Sequence, residues 1–272
     1  MEIFRKLFAE KILKFHEGTN RMIQLMLKIP VFEQRCSETI FTEDKTKLRT
    51  ALGVLAQIFV LLYEFIKKYI YVALFMYIPY MLIAQVRPLV AMNQERTLLF
   101  MFFILTTIGG SIANNTMFAM AQRDYLMVKV MLVSPYMNCL GRLFYKMISE
   151  FIFYTIILCM FGVTPYHAIM TAIVTIAARP IGEAMAILSF DHIPKVYDNR
   201  HIYNGIILAL SVLAAYGVPF LTRRVSRNWM VMIHPVFVIF MLLFGAIAML
   251  YLWKYKHYRE IMREALHNTR SA

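Results

Sequence analysis

Apolar residues come in long blocks separated by short polar stretches. Crossing a bilayer takes about 20 residues of helix. Five later blocks suit that role, at residues 97–121, 147–162, 166–189, 203–221 and 231–253. Ahead of them runs a longer one, residues 48–89, which as one helix would reach roughly 60 Å, twice the hydrocarbon thickness. Glu64, Lys67 and Lys68 interrupt it. Either two spans meet there at a tight turn, or one helix projects from the membrane with the lysines at its inner boundary. The pattern predicts an all-α polytopic bundle of about six transmembrane helices, with eight as the reserve. Residues 1–47 form an N-terminal region, 48–253 the transmembrane domain and 254–272 a C-terminal tail.

The first segment has a different pattern. Ile3, Phe4, Leu7, Phe8, Ile12 and Phe15 recur at helical spacing, with Arg5, Lys6, Lys11 and Lys14 among them. Such a helix lies in the membrane interface with its basic side chains near lipid phosphates. Charged residues mixed this early, with no small-residue cleavage site after them, predict no cleavable signal peptide. Insertion is expected to rest on the internal segments.

Composition agrees with a membrane reading: 60% of the 272 residues are hydrophobic and the mean hydropathy is +0.58, above the roughly 45–50% apolar content of soluble domains. The net charge of +13 does not point to nucleic acid, because the basic residues flank apolar runs instead of forming a stripe between aromatics. Membrane lipid is the expected partner for that charge. Charge also sets a topology. With residues 48–89 as one crossing, 21 Lys and Arg fall on one set of connections (1–49, 122–146, 190–202, 254–272) and 5 on the other. The positive-inside rule then places both termini in the cytoplasm. The arginines at 223, 224 and 227 fit it least. Tyr and Trp near several span ends suit an aromatic belt. Cys36, Cys139 and Cys159 have neither C-x-x-C nor metal spacing, and are read as reduced, packed thiols.

No P-loop, H-E-x-x-H or G-x-S-x-G motif occurs, so uphill transport would draw its energy from a partner or an ion gradient. The informative polar residues lie inside the spans. Arg179 and Glu183 sit one turn apart on one helix face, and charge at that depth is costly unless paired or wetted. Pro180 between them frees a carbonyl one turn earlier and favours a kink. The group reads equally as a hinge or polar lining of a substrate path and as a self-neutralising pair that fixes packing. Gly109, Gly110 and Ser111, followed by Asn114 and Asn115, predict a close helix crossing with amides hydrogen-bonding across it.

Two connections carry further candidates. Residues 122–146 form a long basic loop in which Arg123, Asp124, Tyr125 and Leu126 open a stretch that turns apolar and stops at Pro135. A stub helix at the cytoplasmic face is expected there, either a plain connector or a docking element. In residues 190–203, Asp191, His192, Asp198 and His201 could hold a metal, though no spacing is diagnostic, and none is expected.

This layout, together with Ala121-Gln122-Arg123-Asp124-Tyr125 through Val133-Ser134-Pro135-Tyr136 and then Lys146, resembles the permease subunits of ABC-2 type exporters. Residues 251–259 are similar to the end of the first membrane half in larger bacterial permeases that fuse two halves. The resemblance implies a transport subunit, not an enzyme, with no cofactor of its own and ATP bound on a partner ATPase. Contact with that ATPase would fall on Arg123, Asp124, Tyr125, Leu126 and Pro135, and a second permease half or a second copy would complete the path. The overlong first block departs from the family pattern. An ion-gradient-driven secondary transporter or channel is the alternative, motivated by Arg179, Pro180 and Glu183, and a membrane enzyme or scaffold comes third.

Overall fold

A computed structural model describes residues 46–86, 93–116, 118, 134–193, 199–221, 232–261 and 263. Among the described residues the secondary structure is helical, with no strand. α1 is a continuous run from Thr46–Val72 through a π-helical turn, Ala73–Tyr77, to Ile78–Val86. α2 has the same construction: Gln94–Phe102, a π turn at Phe103–Gly109, and Gly110–Ala113. α3 is Pro135–Met160, α4 Pro165–His192, α5 Arg200–Leu221 and α6 Pro235–Lys254. All six are long and apolar enough to cross a membrane. The protein is a multi-pass membrane protein of the all-α class.

The first block is thus one helix, which favours six spans over eight. Two compact units divide the chain within it, residues 1–67 and 68–272. In the first unit, Val54, Leu55, Ile58, Phe59 and Leu62 of α1 are exposed, an apolar surface suited to lipid. The expected amphipathic helix at Ile3–Phe15 lies outside the described residues, as do Cys36 and Arg223, Arg224 and Arg227.

Local chemistry explains where the helices of the second unit begin. Ser134, Thr164 and His234 each precede a proline that takes the first helical position, where its missing N–H costs nothing and its φ is already helical. Ser134 also accepts a hydrogen bond from the Met137 N–H at 3.3 Å, and Asn93 caps α2 in the same way through the Arg96 N–H. Pro135 therefore opens a transmembrane helix. α3 starts twelve residues before the expected 147, leaving Lys146 well inside the helix, and α2 ends at Ala113 instead of 121. α3 turns into α4 at Gly162, whose φ of +84° is a left-handed conformation that suits a residue without Cβ.

Small residues set how closely the helices of this unit pack. A Cβ on Gly182 of α4 would lie 2.0 Å from the Ser111 carbonyl oxygen of α2. One on Gly245 of α6 would lie 2.7 Å from the Ala177 oxygen of α4, and one on Gly109 of α2 2.9 Å from Ser211 Oγ of α5. α2 and α4 occupy the centre: 61% and 56% of their most apolar windows are buried, against 17% for α5 and α6. Outer residues of those two helices, such as Leu213, Val236 and Ile247, face outward.

Contacts sort the helix ends of this unit into two sets. Where α2 and α4 begin and α3 ends, Gln94 Nε2 donates to the Phe161 carbonyl at 3.0 Å; this is the 164 end. Where α3 begins and α4 and α6 end, Cys139, Leu140, Leu143, Ile187 and Leu252 pack into a core with Tyr258 and Ile261; this is the 135 end. The start of the C-terminal tail after residue 254 is docked here, with the Tyr258 hydroxyl donating to the Leu252 carbonyl at 2.6 Å.

Candidate functional site

α2 ends beside the α3–α4 contact, at the exposed Asn114. Asn114, at φ −109° and ψ 63°, leaves the helix about 30 Å along from Gln94, and the last carbonyls of α2 lose their intrahelical donors. Three other helices supply substitutes. The Arg179 guanidinium of α4 donates through Nη1 to the Gly110 carbonyl. Asn204 Nδ2 of α5 donates to the Ala113 carbonyl at 3.2 Å, and Lys146 Nζ of α3 to the Asn114 carbonyl at 2.8 Å. Cationic donors here also complement the negative end of the helix dipole.

Arg179 is the hub. Its Nε and Nη2 donate to the two carboxylate oxygens of Glu150 on α3, at 2.6 and 2.9 Å. Arg179 and Glu150 are 3% and 4% exposed, so charges that would be costly in a membrane neutralise each other across a helix contact. Glu183, 2% exposed, accepts from both the N–H and the hydroxyl of Thr116 at 2.5 Å. The two residues one turn apart on α4 therefore do not form a pair of their own. Each reaches a different element.

The α3–α4 hairpin orders these charges. Its antiparallel register sets Glu150 against Arg179, and one turn further from Gly162 it brings Lys146 level with Glu183. Lys146 is half-buried and within electrostatic range of Arg179, Glu150 and Glu183. Nearer the 164 end, Thr107 and Thr175 hydroxyls meet at 2.9 Å. Lys68 donates to Ser149 at 2.7 Å and lies over the Phe153 ring.

Of the residues singled out in the sequence, Asn114, Arg179 and Glu183 come together here, and Ser111 makes the close crossing with Gly182, a residue that was not singled out. Asn115 lies beside them with its Oδ1 buried and without a partner among the described residues, as is Ser111 Oγ. Pro180 is buried in α4, and the helix continues through it. Arg123, Asp124, Tyr125 and Leu126, with the stub helix expected there, lie outside the described residues; Pro135 is the first residue of α3. Glu150 was not singled out, although a lone carboxylate in one span and a lone arginine in the next were a sufficient signal.

The remaining candidates separate. Asp191 accepts from the Tyr255 hydroxyl at 2.8 Å, and Asp198 is outside the described residues. No group of three metal-ligating side chains forms among the described residues. At the 164 end a second polar group was also unforeseen. Glu95 Oε1 accepts from the Thr164 N–H at 2.9 Å and hydroxyl at 2.7 Å and lies 2.8 Å from His167 Nδ1.

Chemically, the core holds fixed opposite charges and hydroxyls beside a helix end, with the Gly110 and Asn114 carbonyls taken by the protein's own cations and that of Ala113 by an amide. It can bear on the relative position of α2, α3 and α4. Compared with known proteins, the chain matches no family, no curated protein and no solved structure.

Proposed function

We propose that this chain is the membrane subunit of an ATP-driven exporter of the ABC type, with the 135 end and both termini in the cytoplasm. A separate ATPase would dock on the segment from Arg123 to Pro135, and a second half or a second copy would complete the path. The observation that supports this reading is mechanical. Pro135, the last residue of the proposed docking segment, is the first of a 26-residue helix that carries Lys146 and Glu150. A displacement of the docking segment would travel along that helix to the Glu150–Arg179 pair and so to the end of α2. Lipid contact by the exposed apolar faces fits the same placement.

The test is co-purification of the chain with an ABC-type ATPase and stimulation of ATP hydrolysis in liposomes. Charge reversal at Arg123 and Asp124 should abolish both while the bundle keeps its thermal stability. Transport by the chain alone, driven by an ion gradient and without ATP, would sink the proposal.

That outcome would favour a second reading, a secondary transporter or channel. The end of α2 beside buried charges supports it, because such transporters bind ions at broken helices. Arg179 and Lys146 on the very carbonyls that a cation would need weigh against it.

A further inference from the structure

α6 fixes a depth in the membrane. It is 20 residues long, so it reaches about 30 Å, the thickness of the hydrocarbon layer. Its outward side chains, among them Ile239, Phe240 and Leu243, are apolar and exposed. Trp253 in its last turn is also exposed, as suits an aromatic ring at the edge of that layer. The chain beyond α6 therefore starts at the level of the lipid phosphates.

That chain does not run straight on into water. Tyr258 and Ile261, 3% and 0% exposed, pack back onto residues of α3, α4 and α6. With these two turned inward, Lys254, Lys256, Arg259 and Arg263 are left exposed. None of the four cations has a carboxylate partner among the described residues. Two acids of this end are engaged elsewhere: Asp191 accepts from the Tyr255 hydroxyl, and Glu260 lies 3.1 Å from His257 Nδ1.

We propose that this docked segment binds the head groups of acidic phospholipids in the leaflet at the 135 end. The lipid phosphate supplies the negative charge that the four cations lack, and the acyl chains continue beside Trp253 and the exposed face of α6. Tyr258 and Ile261 keep the cations at that depth. A zwitterionic phospholipid brings its own cation and gains little. The acidic face of a soluble protein would match the charge but not the depth. The inference rests on the membrane fold and not on what drives the chain.

The full chain carrying Trp229→Phe keeps Trp253 as its single tryptophan. It would be reconstituted in vesicles of equal parts phosphatidylcholine and phosphatidylglycerol, with bromine on the acyl chains of one lipid or of the other. Brominated phosphatidylglycerol should quench Trp253 more strongly, by a preference of about fivefold or more at low salt that shrinks at high salt. Lys256→Gln with Arg259→Gln and Arg263→Gln should abolish most of that preference. Tyr258→Ala keeps every charge but frees the segment, and should lower the preference about threefold. The three glutamines stand at exposed positions, so they carry the test even if Tyr258→Ala does not fold. Native mass spectrometry of the unaltered chain, which should retain phosphatidylglycerol over phosphatidylcholine, makes the same comparison without the tryptophan change. Equal quenching by the two lipids would overturn the proposal and leave the cations to an acidic soluble partner. So would a preference that survives the triple substitution, or one that a folded Tyr258→Ala variant keeps in full.

Discussion

Two carboxylates hold helices together at different levels of this bundle. Glu150, in the core, binds Arg179 through two hydrogen bonds and is 4% exposed. Glu95, at the 164 end, gathers Thr164 and His167 with comparable distances, yet its side chain is 22% exposed and that of His167 23%. Both groups join α2 or α3 to α4, and similar bond lengths would suggest similar importance. Burial separates them. Water and mobile ions reach Glu95 and weaken each contact. They do not reach Glu150, so removing either partner there strands a charge in a medium that cannot solvate it.

The largest expected effect follows from that difference. Glu150→Gln should destabilise the purified protein by about 3–5 kcal/mol, the usual cost of an orphaned buried charge, read as a loss of thermal stability in detergent. The double substitution Glu150→Leu with Arg179→Met should recover most of it, because it removes both charges and keeps the volume. If the single variant is as stable as the parent, the contrast between the two carboxylates is wrong.

A second test keeps the charges and attacks the crossing that brings them together. Gly182→Ala places a Cβ 2.0 Å from the Ser111 oxygen, a backbone atom that cannot swing aside, so α2 and α4 must separate. About 2–3 kcal/mol of destabilisation is expected from overpacking. Gly205→Ala on α5 is the matched control: nothing lies within 4 Å of its added Cβ, and helix propensity predicts a gain of up to about 1 kcal/mol. Equal effects at the two glycines would mean that the crossing does not hold the core.

Sequence patterns revealed the number and class of the helices because apolar blocks long enough for a bilayer have few alternatives. They also revealed Gly110–Ser111 as a contact, since small residues inside a span have little else to do. What failed was pairing. Arg179 and Glu183 share a face, so pairing between them was one of two equal readings, while the partner found, Glu150, is distant in sequence and adjacent only through the α3–α4 hairpin. Ser134-Pro135 was read as a stop because proline ends helices, although a capping residue followed by proline also starts them. The docking of Tyr258 and Ile261 had no local signal at all, because the core that receives them comes from separate helices.

Glu95→Gln tests the exposed side of the comparison. It keeps a hydrogen-bond acceptor for Thr164 and gives up only the charge facing His167, so the loss should stay below about 1 kcal/mol. It should shrink further in high salt, whereas the Glu150→Gln effect should be nearly salt-independent. A loss of several kcal/mol at Glu95 would show that the 164 end is as tightly sealed as the core.

The smallest effect separates the 135 end from both carboxylates, because there the groups that titrate are tyrosines. Burial, and after it the hydrogen bond to Asp191 and that carboxylate's charge, push the Tyr255 hydroxyl above its ordinary value of 10.0. Burial pushes Tyr258 up as well. A folded-state pKa raised above the unfolded one means that the unfolded chain releases its proton first. The stability involved is therefore complete below about pH 10 and drains away as the pH rises beyond it. Alkaline titration of thermal stability should show that decline, and Tyr258→Phe should flatten it, since phenylalanine keeps the ring packing and has no proton to lose. Neither Glu150→Gln nor Glu95→Gln should alter the slope above pH 10. If Tyr258→Phe leaves it equally steep, the decline belongs to other groups, and the docked start of the C-terminal segment is not held by neutral tyrosines.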